Sequence, residues 1–354
     1  MITVSLCMIV KNEADILRRC LDSYKGIYNE LIIVDTGSTD STKTIASEYT
    51  DKIYDFTWIN DFSAARNFAF SKCSMEYIFS ADADEVLTEE NKTAFLNLKE
   101  ILLPEIDIVQ MKYVNIGHNM VYNSRKELRP KLFKRLREFT WISPIHETVR
   151  LTPIVFDSDI EIEHRPLTMH SKRDFTTFIS AIDNNAVLEN YVYDMFCKEL
   201  FISGDDEDFL NAMPVLERLS ANSDIKAESL RNINCVLARC YRISGDTDNF
   251  FKLALHEFAG SPSSEICMEL GDYYYSKKDY NEAVIMYLNA SSETESIMDI
   301  RSCGDKPLLA LARTYAELAL IEEENGNQDL SDIYNSNSME YSRQAEEYEL
   351  PEEI

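Results

Sequence analysis

Ile2 to Val10, and the centre of Glu30 to Asp35 (ELIIVD), are apolar in continuous stretches instead of at every second position, so each run needs cover on both faces. Between them, Ile16, Leu17, Leu21 and Tyr24 recur at helical spacing within Asn12 to Tyr24. Thr36-Gly37-Ser38-Thr39-Asp40 reads as a turn that caps the next helix. Lys52 to Trp58 and Glu76 to Ser80 read as two further strands, separated by a helix over Phe62 to Cys73. This alternation predicts an α/β fold with a parallel, Rossmann-like sheet, and ligands of such sheets bind beyond the carboxyl ends of the strands. From Ile106 to Glu163 the stretches IVQMKYVNI, LRPKLFKRL and VRLTPIVF predict antiparallel strands completing one side of the sheet. From Lys172 onward the pattern is almost wholly helical. Two domains are therefore expected in the 354 residues, 1–165 and 166–354.

The helical tail contains a repeat. Leu237-Ala238-x-x-Tyr241, Leu270-Gly271-x-x-Tyr274 and Leu311-Ala312-x-x-Tyr315 recur at offsets of 33 and 41 (270 − 237 and 311 − 270). Ala283 and Tyr287 supply a second small/large pair on a following helix, so the tail resembles tetratricopeptide repeats.

Charge narrows the partners. Against 35 Lys and Arg stand 62 Asp and Glu, a net charge of −27, which excludes nucleic acid as a bulk partner and leaves any anion to a local site. The eight cysteines are scattered without a Cys-x-x-Cys pair, as expected of reduced thiols. The apolar N-terminus lacks a basic flank and is too short to span a bilayer, so a cytoplasmic protein with no integral membrane segment is expected.

Four polar clusters follow predicted strands: Lys11-Asn12-Glu13; Asp35; Asp61-Phe62-Ser63-Ala64-Ala65-Arg66-Asn67; and Asp82-Ala83-Asp84-Glu85. A lone carboxylate after a strand commonly caps a helix, which is the plain role for Asp35 or Asp61. Three carboxylates at one strand end repel each other unless a cation compensates them, and a hard divalent ion shared with substrate phosphates is the ordinary solution. Arg129, Lys131, Lys134 and Arg135 form the densest basic run. It reads either as the exposed face of an edge strand, where Lys and Arg block aggregation, or as a phosphate contact led by Arg129.

SLCMIVKNE, LIIVDTGSTDST, NDFSAARNFA and FSADADE, in this order and spacing, resemble the nucleotide-sugar domain of family 2 glycosyltransferases, with the GT-A fold and its Asp-x-Asp motif. EFTWISPIHETV is similar to the His-Glu segment of a bacterial subgroup with tetratricopeptide-like tails, which includes the S-glycosyltransferases of glycosylated bacteriocins. The resemblance implies a UDP-sugar donor, of glucose or N-acetylglucosamine, and a Mn²⁺ or Mg²⁺ cofactor. It implies that backbone at Met8 to Val10, with Glu13 and Asp35, holds the uridine, and that Asp61, Arg66 and Asn67 line the nucleotide and diphosphate. Asp82 and Ala83 would face the ribose side and Asp84 the metal, joined by His146 or His164. Glu147 would be the base of an inverting displacement.

Family members often have Gly where this chain has Ser143-Pro144-Ile145, so the acceptor side is expected to be shaped differently. The tail would bind a peptide or protein acceptor, pair two copies as a homodimer, or both, and its groove is expected to be acidic, favouring basic or neutral segments. Competing readings are a non-catalytic repeat adaptor, transfer to a lipid or polysaccharide, and a nucleotidyltransferase or sugar-nucleotide hydrolase. The last would carry a Gly-rich phosphate loop after the first strand, where KNEAD has no glycine.

Overall fold

A computed structural model describes residues 1–115, 126–137, 141–142, 148–149, 153–166, 171–183 and 188–351. The chain divides into two compact units, Met1–His170 and Ser171–Pro351. Among the described residues no helix is long and apolar enough to cross a membrane.

The first unit is built on β1 (Val4–Val10), β2 (Glu30–Asp35), β3 (Ile53–Asp55), β4 (Tyr77–Ala81), β5 (Glu85–Val86), β6 (Ile108–Asn115), β7 (Lys126–Lys134), the short pair β8 (Trp141–Ile142) and β9 (Thr148–Val149), and β10 (Val155–His164). The main sheet runs β3-β2-β1-β4-β7-β6-β10-β5. Strands β3, β2, β1 and β4 are parallel, and β7 is antiparallel to both β4 and β6. Strand order reverses direction at β1, so a switch point opens between β1 and β4 at their carboxyl ends. Helices α1 (Leu17–Tyr24), α2 (Thr42–Ala46), α3 (Phe62–Ser71) and α4 (Glu89–Ile101) connect the strands.

Cover on both faces of the sheet is what the continuous apolar runs demand. Val4, Leu6, Met8 and Val10 join Leu17, Leu21, Tyr24 and Phe95 on one face, while Cys7, Ile32 and Val34 meet Ala69, Phe70 and Trp141 on the other. Glu30 ties three segments together from a buried position. It accepts hydrogen bonds from Ser5 Oγ (2.5 Å), Ser74 N (2.8 Å) and Ser74 Oγ (2.9 Å), and pairs with Lys52 at 2.6 Å. Burial alone would raise its carboxyl, but these partners outweigh it and hold the group at about 2.

Two expectations for residues 106–163 need correction. Strand β10 runs parallel to β6 and extends to His164, and β7 is not an edge strand: it lies between β4 and β6. Pro130 is tolerated inside the sheet because the register of β7 on β6 slips there, Val109 facing Leu132 and Gln110 facing Pro130, which leaves Lys131 as the extra residue of a β-bulge.

The second unit is helical among the described residues: α5 (Ser171–Asp183), α6 (Asn190–Ser203), α7 (Asp206–Ser220), α8 (Ala227–Ser244), α9 (Thr247–Gly260), α10 (Ser264–Ser276), α11 (Tyr280–Leu288), α12 (Asp305–Glu324) and α13 (Gln328–Glu346). The three Leu-small-x-x-Tyr motifs fall on α8, α10 and α12, with their Leu and small residues buried. Gly271 marks the closest approach. A Cβ there would lie 2.4 Å from Tyr287 Cε1 on α11, and Tyr287 is itself pinned by donating to Asp272 Oδ1 at 2.7 Å.

Gly271→Ala is expected to destabilise the helical unit by about 1–3 kcal/mol through overpacking. A thermal melt of the variant checks this, and an unchanged melting temperature would contradict the packing described. For Glu30, whose folded pKa lies below the ordinary value, the stabilisation is present above about 4.5 and is lost as pH falls toward about 2. The stability difference between the native chain and Glu30→Gln, followed by denaturant titration, should therefore shrink across that window.

Candidate active site

At the carboxyl ends of β1 and β2 two loops are stitched together. Asn12, at φ 57°, accepts from Thr39 N (2.8 Å) and its own N–H donates to Ser38 Oγ (2.9 Å). Glu13 N donates to Thr42 Oγ1 at 2.8 Å, and Thr36 N donates to the Val10 carbonyl at 3.0 Å. Asp35 is buried; its Oδ2 accepts from Gly37 N (3.2 Å) and Ser38 N (3.0 Å), while Oδ1 has no hydrogen-bond partner among the described residues. A buried, unsatisfied carboxylate oxygen at a sheet's switch point is a ready acceptor for a ligand N–H or O–H.

Asp82-Ala83-Asp84-Glu85 follows β4, and its three carboxylates have different partners. Glu85 is fully buried, accepts from Tyr24 Oη at 3.2 Å, and takes a hydrogen bond from the ammonium of Lys131. Burial, with the nearby charges of Asp82 and Asp84, pushes its carboxyl up to about 7 against the opposing pull of Lys131. Asp82 is about half exposed, with Lys131 Nζ at 3.6 Å and Arg66 at 3.9 Å. Burial raises its carboxyl, but Lys131, Arg66 and Arg129 outweigh that and hold it at about 2. The chain's own cations thus compensate two of the three carboxylates, where the sequence pointed to a divalent ion held by one or two of them.

Asp84 is the exception. Its Oδ2 lies 3.1 Å from His164 Nε2, and its buried Oδ1 has no hydrogen-bond partner among the described residues. Two ligands of one divalent ion, each at about 2.1 Å and at right angles, sit about 3 Å apart, so this pair fits a shared Mg²⁺ or Mn²⁺. The described residues offer no group of three His, Cys, Asp or Glu for a metal. Strand β10 sets the pair's geometry: His164 lies opposite Glu85, and Arg165 N donates to the Asp84 carbonyl at 2.8 Å.

Arg66, on α3, donates to Ser80 Oγ and lies 4.8 Å over the Trp141 ring. Arg129 sits 3.9 Å over Tyr113 and pairs with Glu127, and the Tyr113 ring lies 5.0 Å from that of His164. Arg129 therefore borders the Asp84–His164 pair. Because of the bulge, the consecutive residues Lys131 and Leu132 both turn to the Tyr113 face, which overturns the exposed-edge reading of the basic run. The sequence signal for this was Pro130, which inside a central strand marks a bulge.

Other expected residues have structural partners. Asp61 caps α3, accepting from Ala64 N (3.0 Å) and Ser63 Oγ (2.7 Å). Asn67 exchanges two hydrogen bonds with the backbone of Trp141, at 2.9 and 2.8 Å. Both sides of its amide are engaged, so Asn67 anchors β8. Strands β8 and β9 pair antiparallel and flank 143–147 in sequence. His146 and Glu147 lie outside the described residues, as do Ser143, Pro144 and Ile145.

A mixed sheet with this strand order, an Asp-x-Asp turn and a His closing on its second carboxylate defines a GT-A-type nucleotide-sugar domain. Residues 5–151, within the N-terminal unit, match the family model "Glycosyl transferase family 2". Among curated relatives, a TPR repeat-containing protein of Synechococcus elongatus is 50% identical over 25% of this chain and 22% of its own. The SPbeta prophage-derived glycosyltransferase SunS of Bacillus subtilis is 33% identical over 36% of this chain and 31% of its own. These alignments span less than a third of either relative. An uncharacterized glycosyltransferase of Rickettsia bellii is 27% identical over 47% of this chain and 57% of its own. A crystal structure of S. aureus TarS aligns over 71% of this chain and 54% of its own with TM-score 0.39 and 15% identity.

Removing the ammonium leaves Glu85 buried without its cation. Lys131→Met is expected to cost about 3–5 kcal/mol, and the double variant Lys131→Met/Glu85→Leu to recover much of that loss. Denaturant melts of the cycle check this; additive losses would contradict a direct pair.

Proposed function

We propose that this chain transfers a sugar from a UDP-sugar to a peptide or protein acceptor, with inversion at the anomeric carbon and with a divalent cation. The observation that carries the reading is the Asp84–His164 pair, in which one carboxylate oxygen has no hydrogen-bond partner among the described residues. Bound there, Mn²⁺ or Mg²⁺ would act as a Lewis acid on the diphosphate leaving group. In this reading Asp35 and the stitched loops around Val10 and Glu13 hold the uridine, with Asp82 and Ala83 toward the ribose.

Arg66 and Arg129 are cations with forked donors, which suit the diphosphate. Arg66 is held by Ser80 and Trp141 and Arg129 by Tyr113 and Glu127, so each is oriented before substrate arrives. Asn67 acts at one remove, by anchoring the strand that leads to Glu147. Glu147 would accept the proton of the acceptor hydroxyl or thiol as that atom bonds to the anomeric carbon and the carbon–oxygen bond to UDP breaks. The match to a family 2 model supports the class of donor chemistry, and the repeat-like tail supports a polypeptide acceptor.

A screen of UDP-hexoses with Mn²⁺ should find one that is hydrolysed or transferred. Asp84→Ala should lower that rate on the order of 10²-fold or more, since Lewis-acid stabilisation supplies several kcal/mol. Glu147→Gln should keep UDP-sugar binding and lose transfer. A native enzyme that neither binds nor turns over any UDP-sugar would end this reading, and loss of binding in Glu147→Gln would reassign that residue.

A further inference from the structure

The three repeat motifs share one more position. Directly after the small residue stand Arg239 on α8, Asp272 on α10 and Arg313 on α12. All three line one cavity of about 290 Å³ within the helical unit, together with Lys306 and Glu269 and an apolar wall that includes Phe201, Met268 and Leu309. The repeat thus brings the same motif position of successive helices to a single opening.

The charges there do not cancel. Glu269 Oε2 accepts from Arg242 Nε at 2.6 Å, and Asp272 Oδ1 accepts from Arg313 at 2.6 Å and from Tyr287 at 2.7 Å. Lys306 pairs with Asp299 at 2.5 Å. That leaves Arg239, stacked 4.3 Å over Phe209. Among the described residues, the one carboxylate it approaches, Glu269, stays 3.8 Å away and its buried Nε has no hydrogen-bond partner. Among the lining residues three cations (Arg239, Lys306 and Arg313) face two carboxylates (Glu269 and Asp272). The balance is about one positive charge, in a chain whose net charge is −27.

We infer that this cavity binds a carboxylate side chain of a peptide, with a neighbouring apolar residue against Phe201, Met268 and Leu309. A surplus of one charge matches a monoanion better than a phosphate dianion, and the volume, at the low end for ligand sites, holds one or two side chains. The expectation of an acidic groove selecting basic or neutral segments is thereby reversed at this site. The inference deepens the reading that the helical unit receives the acceptor and rests on it for the cavity's biological use. Its test is binding, not transfer.

The experiment uses the full chain without donor and a short fluorescent peptide blocked at both ends, in which a central Glu between two Leu is replaced by Gln or by Lys. A fourth peptide, carrying Gln and a free C-terminus, tests a terminal carboxylate as the source. Fluorescence anisotropy should show the Glu peptide binding at least about 10-fold more tightly than the other three, as a charge-assisted hydrogen bond provides. Arg239→Gln should remove that preference, with UDP affinity and melting temperature unchanged. Should Arg239→Gln melt early, Arg239→Lys, which keeps the charge, and Lys306→Gln replace it, the first expected to keep the preference and the second to weaken it. Equal binding of the Glu, Gln and Lys peptides, tighter binding of the free C-terminus, or an undiminished preference in a folded Arg239→Gln would overturn the inference. Glu-selective binding by a chain that turns over no UDP-sugar would uphold the cavity and remove the glycosyltransferase reading instead.

Discussion

The ammonium of Lys131 organises the active-site end of the first unit. Without it, a fully buried Glu85 and a nearby Asp82 would repel each other and Asp84 across a few residues of one turn. The bulge in β7 delivers that ammonium: an ordinary register would pair every residue and turn Lys131 to the face opposite Leu132. One slipped position instead sends Lys131 toward Glu85, Asp82 and Tyr113. Once Asp82 and Glu85 have partners within the chain, Asp84 is the carboxylate left with a vacant oxygen, and strand β10 brings His164 to it.

Much of this was legible in the sequence. The continuous apolar runs marked β1 and β2 as doubly covered strands, Asp35 ends β2, Asp82 to Glu85 follow β4, and His164 ends β10. What stayed hidden depended on register and on contacts distant in sequence. A basic run gives no sign whether it faces solvent or a buried carboxylate, and the neighbours of Lys131 lie 46 residues away at Glu85. Likewise Asn67 carries a polar amide at a plausible site position, yet both its groups meet the Trp141 backbone, 74 residues further on. Asp61 took the plain role that its place before a helix allowed.

The helical unit shows the same division between local and distant information. The Leu-small-x-x-Tyr spacing announced helix pairs, and Gly271 against Tyr287 shows why the second position of the motif must be small. The position after it carried no message in any single repeat. Its meaning emerges only when three first helices place Arg239, Asp272 and Arg313 around one cavity. In both units an acidic chain places cations at a local site, in one case beside a carboxylate suited to a metal and in the other beside an apolar wall.

The central claim is that Asp84 and His164 together hold the divalent ion that serves a UDP-sugar. Electron paramagnetic resonance of Mn²⁺ bound to the chain in the presence of UDP tests it most directly. Nitrogen hyperfine coupling from one imidazole is expected, absent in His164→Ala, with phosphorus coupling from the diphosphate in the same spectrum. Bound Mn²⁺ with no nitrogen coupling, or coupling that persists in His164→Ala, would contradict it.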